Sequence, residues 1–260
     1  MAIITVVTIC YNNLADLQKT CASVDEQTNA PFCHLIINGS TNNDIANWLS
    51  ETQQPVYRQW INEPDNGIAD AFNKGVQHAP EGFIHLLNSG DIYADKNVFS
   101  QINNFLNAHP NISWMSGKII LKRAQHWVTV GKPFDAKKLY RGMRSIAHPT
   151  WFVKKEVYER CGYFNMQYKI GMDYDMLCKI KDEPYAFYNA PVTKFDDTGI
   201  SSTQYLASLK ENIVIYESHF GFSLKCRLWQ WRLKMLYLLL QTRVGKFLFL
   251  VKKKLGLENH

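Results

Sequence analysis

The sequence predicts an α/β fold: a mostly parallel central sheet flanked by helices, followed by a basic, amphipathic helical extension. Three observations carry this. Strand-like and helix-like segments alternate through the first ninety residues, as in βαβ units. Ile3 to Cys10 is an unbroken apolar run, as expected for a strand buried on both faces. Four polar clusters, Tyr11-Asn12-Asn13, Asn38-Gly39-Ser40, Glu63-Pro64-Asp65 and Asn88-Ser89-Gly90-Asp91, fall where strands end. Ligands of such sheets bind beyond the carboxyl ends of the strands, so four clusters on one edge predict a site.

Each element has its own signal. Leu14 to Glu26 reads as a helix, with Leu14, Leu17, Cys21 and Val24 three or four apart. His34–Ile37 is a second strand, residues 44–52 a helix, Tyr57–Ile61 a third strand, Ile68–His78 a helix, and Phe83–Leu87 a fourth strand. Val98–Ala108 reads as a helix, and Trp114–Leu121 with Gln125–Val130 as an antiparallel pair. Val153–Cys161 is predicted helical and closed by Gly162, a C-terminal stop signal. Asp173–Lys181 is a further helix and Ala186–Ala190 a further strand.

Composition narrows the classes. With 46% hydrophobic and 20% charged residues, the bulk of the chain can bury a core and is not disordered. The six cysteines form no CxxC pair and no metal-finger spacing, which predicts reduced thiols and a cytoplasmic setting. The opening MAIITVVTICYNN has no basic n-region and does not read as a signal peptide. Nine of the 29 Lys and Arg, but one of the 23 acids, lie from Ser223 onward. The first 222 residues therefore carry a net charge of −2, and a nucleic-acid-binding body is disfavoured. The expected division is a main unit, 1–222, and a tail, 223–260.

Asp91 ends the stretch FIHLLNSGDIY. Read by itself, it is a turn residue. Asp173 and Asp175, in GMDYDM, start a helix, where acids satisfy amides and the dipole. Asp65-Asn66-Gly67 is a plain turn, and Asp70 and Lys74 are spaced as an exposed i,i+4 pair. His148 precedes Pro149 and reads as a packed loop residue.

Taken in order, VVTICYNN, NGSTNND, EPDNGIADAFNKG, LLNSGD, AHPTWF, GMDYDM and FDDTGISS resemble the family 2 glycosyltransferases, inverting enzymes of the GT-A fold, Rossmann-like, that use nucleotide-sugar donors. The likeness runs from Ile4 to about Glu211 and is nearest the branch that builds colanic acid, O-antigen and related bacterial polysaccharides. The resemblance implies that Asp91 is the metal-binding acid for Mn²⁺ or Mg²⁺. Ser89 stands where the family often has a second acid, so the metal would lean on diphosphate oxygens and water. It implies that Asp173 is the general base, with Met172 in place of the family's Glu, and that Asp175 is structural. Thr8, Cys10, Tyr11 and Asn12 would face the nucleotide base. Asn38 and Ser40 would replace the family's charged contact by an amide, which keeps hydrogen bonding but loses charge. Asn88, Ser89 and Gly90 would admit the diphosphate, and Asp65, Lys74 and, less directly, Asp70 would line the donor pocket. His148 and Trp151 would meet the acceptor. Asp197, Gly199 and Ser201 would belong to a loop over the donor.

The tail mixes Trp, Leu and Phe with Lys and Arg, including Lys252-Lys253-Lys254. Its longest uncharged run, Met235 to Thr242, is too short to span a bilayer. It reads as an interfacial helix, or two broken near Gly245, on an anionic membrane, or as a face packed on the domain or on a second copy. The expected activity is transfer of a hexosyl or N-acetylhexosaminyl group from a UDP-sugar to a lipid-linked or lipopolysaccharide glycan. The enzyme would sit peripherally on the inner face of the bacterial cytoplasmic membrane. A nucleotidyl transferase would need a glycine-rich basic loop, which CYNNLADL lacks. A non-catalytic membrane-associated scaffold of the same fold is the remaining alternative.

Overall fold

A computed structural model describes residues 2–123, 126–143, 146–196, 204–245 and 247–248. Four parallel strands, β1 (Ile4–Cys10), β2 (Cys33–Asn38), β3 (Arg58–Asn62) and β4 (Phe83–Leu86), lie in the order β3-β2-β1-β4. β1 is buried along its whole length, as its unbroken apolar run requires.

Alternation along the strands sends neighbouring side chains to opposite faces. Ile36 packs with Leu17 and Cys21 of α1 (Leu14–Asp25) and Ile45 and Leu49 of α2 (Asp44–Glu51). Leu35 and Ile37 join Phe72 and Val76 of α3 (Ile68–His78) on the other face.

The sheet continues from β4 through β8 (Phe152–Lys154), β6 (Trp114–Arg123) and β9 (Tyr185–Asp196) to β5 (Ile92–Tyr93), and β7 (His126–Val130) pairs with β6. β6 and β9 are parallel; the pairs β4–β8, β6–β8, β6–β7 and β5–β9 are antiparallel. The parallel half thus presents one edge of strand ends, and the mixed half builds a wall beside it. α4 (Val98–Ala108), α5 (Lys155–Cys161), α6 (Met172–Lys179), α7 (Tyr205–Phe220) and α8 (Leu224–Gln241) are the remaining described α-helices, beside two short 3₁₀ helices at Ala136–Arg141 and His148–Thr150.

Several boundaries differ from the sequence reading. Residues 152–154 are a strand, because Phe152 and Val153 pair with Met115 and Trp114 inside the sheet; the helix begins only at Lys155. β9 continues to Asp196 through its pairing with β6. β5 has two residues, too few for a periodic signal, and exists through its partner β9. α7 was not foreseen. All six thiols are free, and Cys161 alone is not fully buried.

The tail packs back with one face. Cys226, Gln230 and Leu233 of α8 are buried, and Gln230 Nε2 donates to the Tyr140 carbonyl at 3.2 Å. The helix ends at Gln241 with Thr242 as its cap, three residues before Gly245. Lys252, Lys253 and Lys254 lie outside the described residues.

Candidate active site

The carboxyl ends of β1, β2 and β3 stand in register, with Cys10 beside Asn38 and Asn38 beside Asn62. Their polar groups form one chain of hydrogen bonds. Asn38 Nδ2 donates to Asn62 Oδ1 at 2.9 Å, and Asn38 Oδ1 accepts the Ser40 amide at 3.1 Å and the Cys10 thiol at 3.7 Å. Ser40 Oγ accepts the Asn12 amide at 2.8 Å, while Asn12 Oδ1 accepts the Thr41 amide at 3.0 Å. Asn12 holds φ at 52°, a left-handed conformation that Asn tolerates better than most residues. Each amide side chain is thereby spent on the loops. What is left open is Tyr11, 60% exposed at the lip of the edge.

Cys10 and Thr8 lie deeper. Burial pushes the Cys10 thiol up to about 12, so it is a neutral thiol at physiological pH. Thr8 is fully buried, with its hydroxyl 3.0 Å from His34 Nε2. It therefore supports the strand beneath the edge and presents no side chain to it. Asn62 was missed in the sequence; its place at the end of β3 was the available signal.

The segment that carries Asp65 is braced from α3. Lys74 Nζ donates to the Pro64 carbonyl at 2.6 Å and pairs with Glu63 at 3.0 Å, and the hydrogen bond to Glu63 holds its pKa above the usual lysine value. Asp70 accepts the Asn66 amide at 2.8 Å. Both residues expected in the donor pocket are thus engaged in shaping its loop. Asp65 itself accepts the Gly67 amide at 2.9 Å and lies against Gly39, where a Cβ would collide with its carboxylate. Glycine at 39 lets the acid of the β3 loop meet the β2 loop.

At the end of β4 the Asn88–Asp91 turn is pinned from two sides. The Ser89 amide donates to the Ile9 carbonyl at 3.2 Å. Thr20 of α1 donates to the Asp91 carbonyl at 2.8 Å and its hydroxyl accepts the Gly90 amide at 2.8 Å. Gly90 has φ of 100°, which a side chain would strain. Asp91 is 8% exposed, and its carboxylate accepts a hydrogen bond from Asn88 Nδ2 at 3.3 Å. Desolvation raises its pKa to about 7; Asn88 opposes the shift, and the charge of Asp16 adds to it.

A divalent cation fits this corner. Ser89 Oγ is buried without a partner, and the Asp91 carboxyl lacks solvation that a cation would replace. Both are oxygen donors, which suit Mg²⁺ or Mn²⁺. Among the described residues no group of three His, Cys, Asp or Glu side chains surrounds a metal, so water and ligand oxygens would complete the shell.

Asp173 is the second residue of α6, half-buried where the helix dipole favours negative charge. Desolvation nevertheless raises its pKa to about 6. That value suits a group that takes up a proton near neutral pH. The approach to it is fixed by a residue the sequence did not reveal: Glu211 of α7 accepts the amides of Lys169, Ile170 and Gly171 at 3.3, 3.0 and 2.7 Å. Asp175 points elsewhere, buried between His219 at 2.7 Å and Lys179 at 2.9 Å. It ties α6 to α7.

His148 and Trp151, expected at the acceptor, are both buried in this structure. They are 5% and 2% exposed, with ring centroids 5.5 Å apart, and His148 also lies against Phe72. Burial lowers the His148 pKa to about 4, and both His148 Nε2 and Trp151 Nε1 are without partners. Phe72 of α3 packs beneath this turn, 5.1 Å from the His148 ring. Asp197, Gly199 and Ser201 lie outside the described residues.

The model of the family described as Glycosyl transferase family 2 matches residues 5–162. An uncharacterized glycosyltransferase of Mycobacterium tuberculosis is 28% identical over 211 residues, which cover 76% of this chain and 77% of the relative. A PGL/p-HBAD biosynthesis glycosyltransferase of Mycobacterium bovis is 23% identical over 210 residues, 78% of this chain and 77% of its own. Neither is named for colanic acid or O-antigen. Solved GT-A structures share the fold. A mannosyltransferase from Pyrobaculum calidifontis, in complex with GDP-Man and Mn²⁺, superposes with a TM-score of 0.60 at 14% identity, over 99% of this chain and 81% of its own. The 1–349 segment of S. aureus TarS with UDP-GlcNAc gives 0.59 at 12% identity, over 84% and 67%. A longer S. aureus TarS structure gives 0.60, and the match spans 40% of that chain.

Proposed function

The chain belongs to glycosyl transferase family 2, and we propose that it is an inverting enzyme that moves a sugar, hexosyl or N-acetylhexosaminyl, from a UDP-sugar to a lipid-linked or lipopolysaccharide glycan. The observation that carries this reading is the joined edge of β1, β2, β3 and β4, which ends in an open Tyr11 at one side and, at the other, in the buried Asp91 with the unpartnered Ser89 Oγ two residues before it. Tyr11 stacks on the base, and the Asn12, Asn38 and Ser40 network holds the loop that presents it. The carboxylate of Asp65 closes the loop from β3.

Asp91, with Ser89 beside it, would hold Mn²⁺ or Mg²⁺, which when bound would neutralise the charge that develops on the leaving diphosphate. Asp173 takes the proton of the acceptor hydroxyl. The acceptor oxygen forms its bond to the anomeric carbon as the bond to the diphosphate breaks, so the anomeric configuration inverts and the nucleoside diphosphate departs. Glu211 positions Asp173 and touches no reacting group. Binding of UDP-GlcNAc by one fold neighbour and of GDP-Man by another supports a nucleotide-sugar donor. The family and the apolar, basic tail support a place in bacterial surface-polysaccharide assembly at the cytoplasmic side of the membrane.

The test is a donor screen with Mn²⁺ or Mg²⁺ that follows released nucleoside diphosphate in the presence of polyprenyl-diphosphate-linked saccharides. UDP-sugar turnover abolished by chelator is the expected result. Donor binding without turnover in any combination would instead favour the scaffold reading.

A further inference from the structure

We propose that the outward face of α8 is a docking surface for an anionic lipid bilayer, on which the helix lies in the plane of the membrane. The helix has two apolar faces. Cys226, Gln230 and Leu233 pack inward on the domain. On the opposite side Leu224, Leu228, Trp231, Met235, Leu238 and Leu239 recur three or four residues apart, and all are exposed; Leu224 and Trp231 are each 61% exposed. A water-facing helix surface would be polar there. A continuous apolar strip of this length marks an interface.

The rim of the strip says what covers it. At 3.6 residues per turn, Lys225 and Arg232 fall on one side and Arg227 and Lys234 on the other. From Ser223 to Leu257 the sequence contains no acid. The last acid before it, Glu217, is already engaged by Arg227 at 2.7 Å. A second copy docked on this face would oppose like charges. Phospholipid headgroups of negative charge complement it, with the apolar strip below and the cations at headgroup level.

Among the described residues no helix is long and apolar enough to cross a membrane. An 18-residue helix spans about 27 Å along the surface.

The surface is mechanically joined to the active site. Arg227 of α8 pairs with Glu217 of α7, and the Tyr237 and Tyr205 rings lie 5.1 Å apart. α7 in turn carries Glu211, which holds the amides just before Asp173. A docked α8 thus sets the height of Asp173 above the lipid plane.

Flotation of the full chain with lipid vesicles tests the surface without donor or acceptor, so its outcome is separate from that of the sugar-transfer assay. Vesicles of phosphatidylcholine with phosphatidylglycerol are expected to bind the protein at least about tenfold more tightly than phosphatidylcholine alone, with loss at high salt. The triple change Leu228→Glu, Trp231→Glu and Met235→Glu is expected to abolish binding. The rim change Arg232→Glu with Lys234→Glu, which leaves the strip and the packed face untouched, is expected to weaken it about tenfold. Equal binding to both vesicles, no binding, or full binding by the rim variant would overturn the proposal. So would a sedimentation dimer, formed without lipid, that Trp231→Glu dissociates.

Discussion

Glu211 Oε2 accepts the Gly171 amide at 2.7 Å, so the start of α6 is held by a residue 40 positions further along the chain. The same carboxylate takes the two preceding amides, and Asp173 follows two residues later. Glu211→Ala strips three amides of a charged acceptor. Water can reach a half-buried group, so the expected loss of stability is about 1–2 kcal/mol by urea titration. The turnover number should fall while UDP affinity holds. An unchanged turnover number with reduced stability would leave Glu211 a purely structural residue.

Asp173→Asn removes the group that accepts the proton. The expected fall in turnover is about 10²- to 10⁴-fold, with nucleotide binding retained. The pKa of about 6 makes the wild-type rate rise with pH through that value and level off above it. A rate that ignores pH between 5 and 8 would remove Asp173 as base.

Asp91 gives a stability signature in the protein without metal. Its folded pKa, about 7, lies above the ordinary 3.8, so the folded state binds the extra proton. That stabilisation is fully present below about pH 4 and is lost as pH rises through 7. Asp91→Asn should therefore melt higher than wild type at pH 8 and near it at pH 4. With Mn²⁺ and UDP added, the order should reverse. A variant that gains as much from Mn²⁺ and UDP as wild type would exclude Asp91 as ligand.

His148 has the opposite sign. Its folded pKa of about 4 lies below 6.5, so its contribution is present above 6.5 and lost as pH falls toward 4. His148→Phe, close in volume and free of the unpartnered nitrogen, should match wild type near pH 7 and melt higher at pH 5. Retained transfer activity accompanies that result. A selective rise in acceptor KM would restore the acceptor role suggested by the sequence.

Tyr11→Ala removes the exposed ring at the edge. Stacking of an aromatic side chain on a base contributes about 1–3 kcal/mol. UDP affinity, read by calorimetry, should fall about tenfold or more. An unchanged dissociation constant would place the base elsewhere.

Local signals in the chain were enough for the parallel half of the sheet. The run Ile3–Cys10 could be buried only between two layers, and the Leu14–Val24 spacing put a helix against it. The ends of β1, β2, β3 and β4 were legible because turn residues follow apolar runs, and so was their convergence. The strand at Phe152–Lys154 was not, since three residues have no period and a helix follows at once. His148 read as a packed loop residue, and the structure packs it against Phe72 and Phe164, partners that a sequence does not name.

By itself the sequence determined the layers, the edge where the polar clusters meet and the mixed apolar and basic character of the tail, because periodicity and turn chemistry act between near neighbours. Only the tertiary structure decided which groups are free to act. Lys74 and Asp70 are consumed in bracing a loop, Tyr11 stays open, and burial leaves Asp91 and Asp173 easier to protonate than free carboxyls. Those outcomes depend on desolvation and on partners far along the chain, such as Glu211 for Gly171 and Thr20 for Gly90. The chain's local pattern carries no record of either.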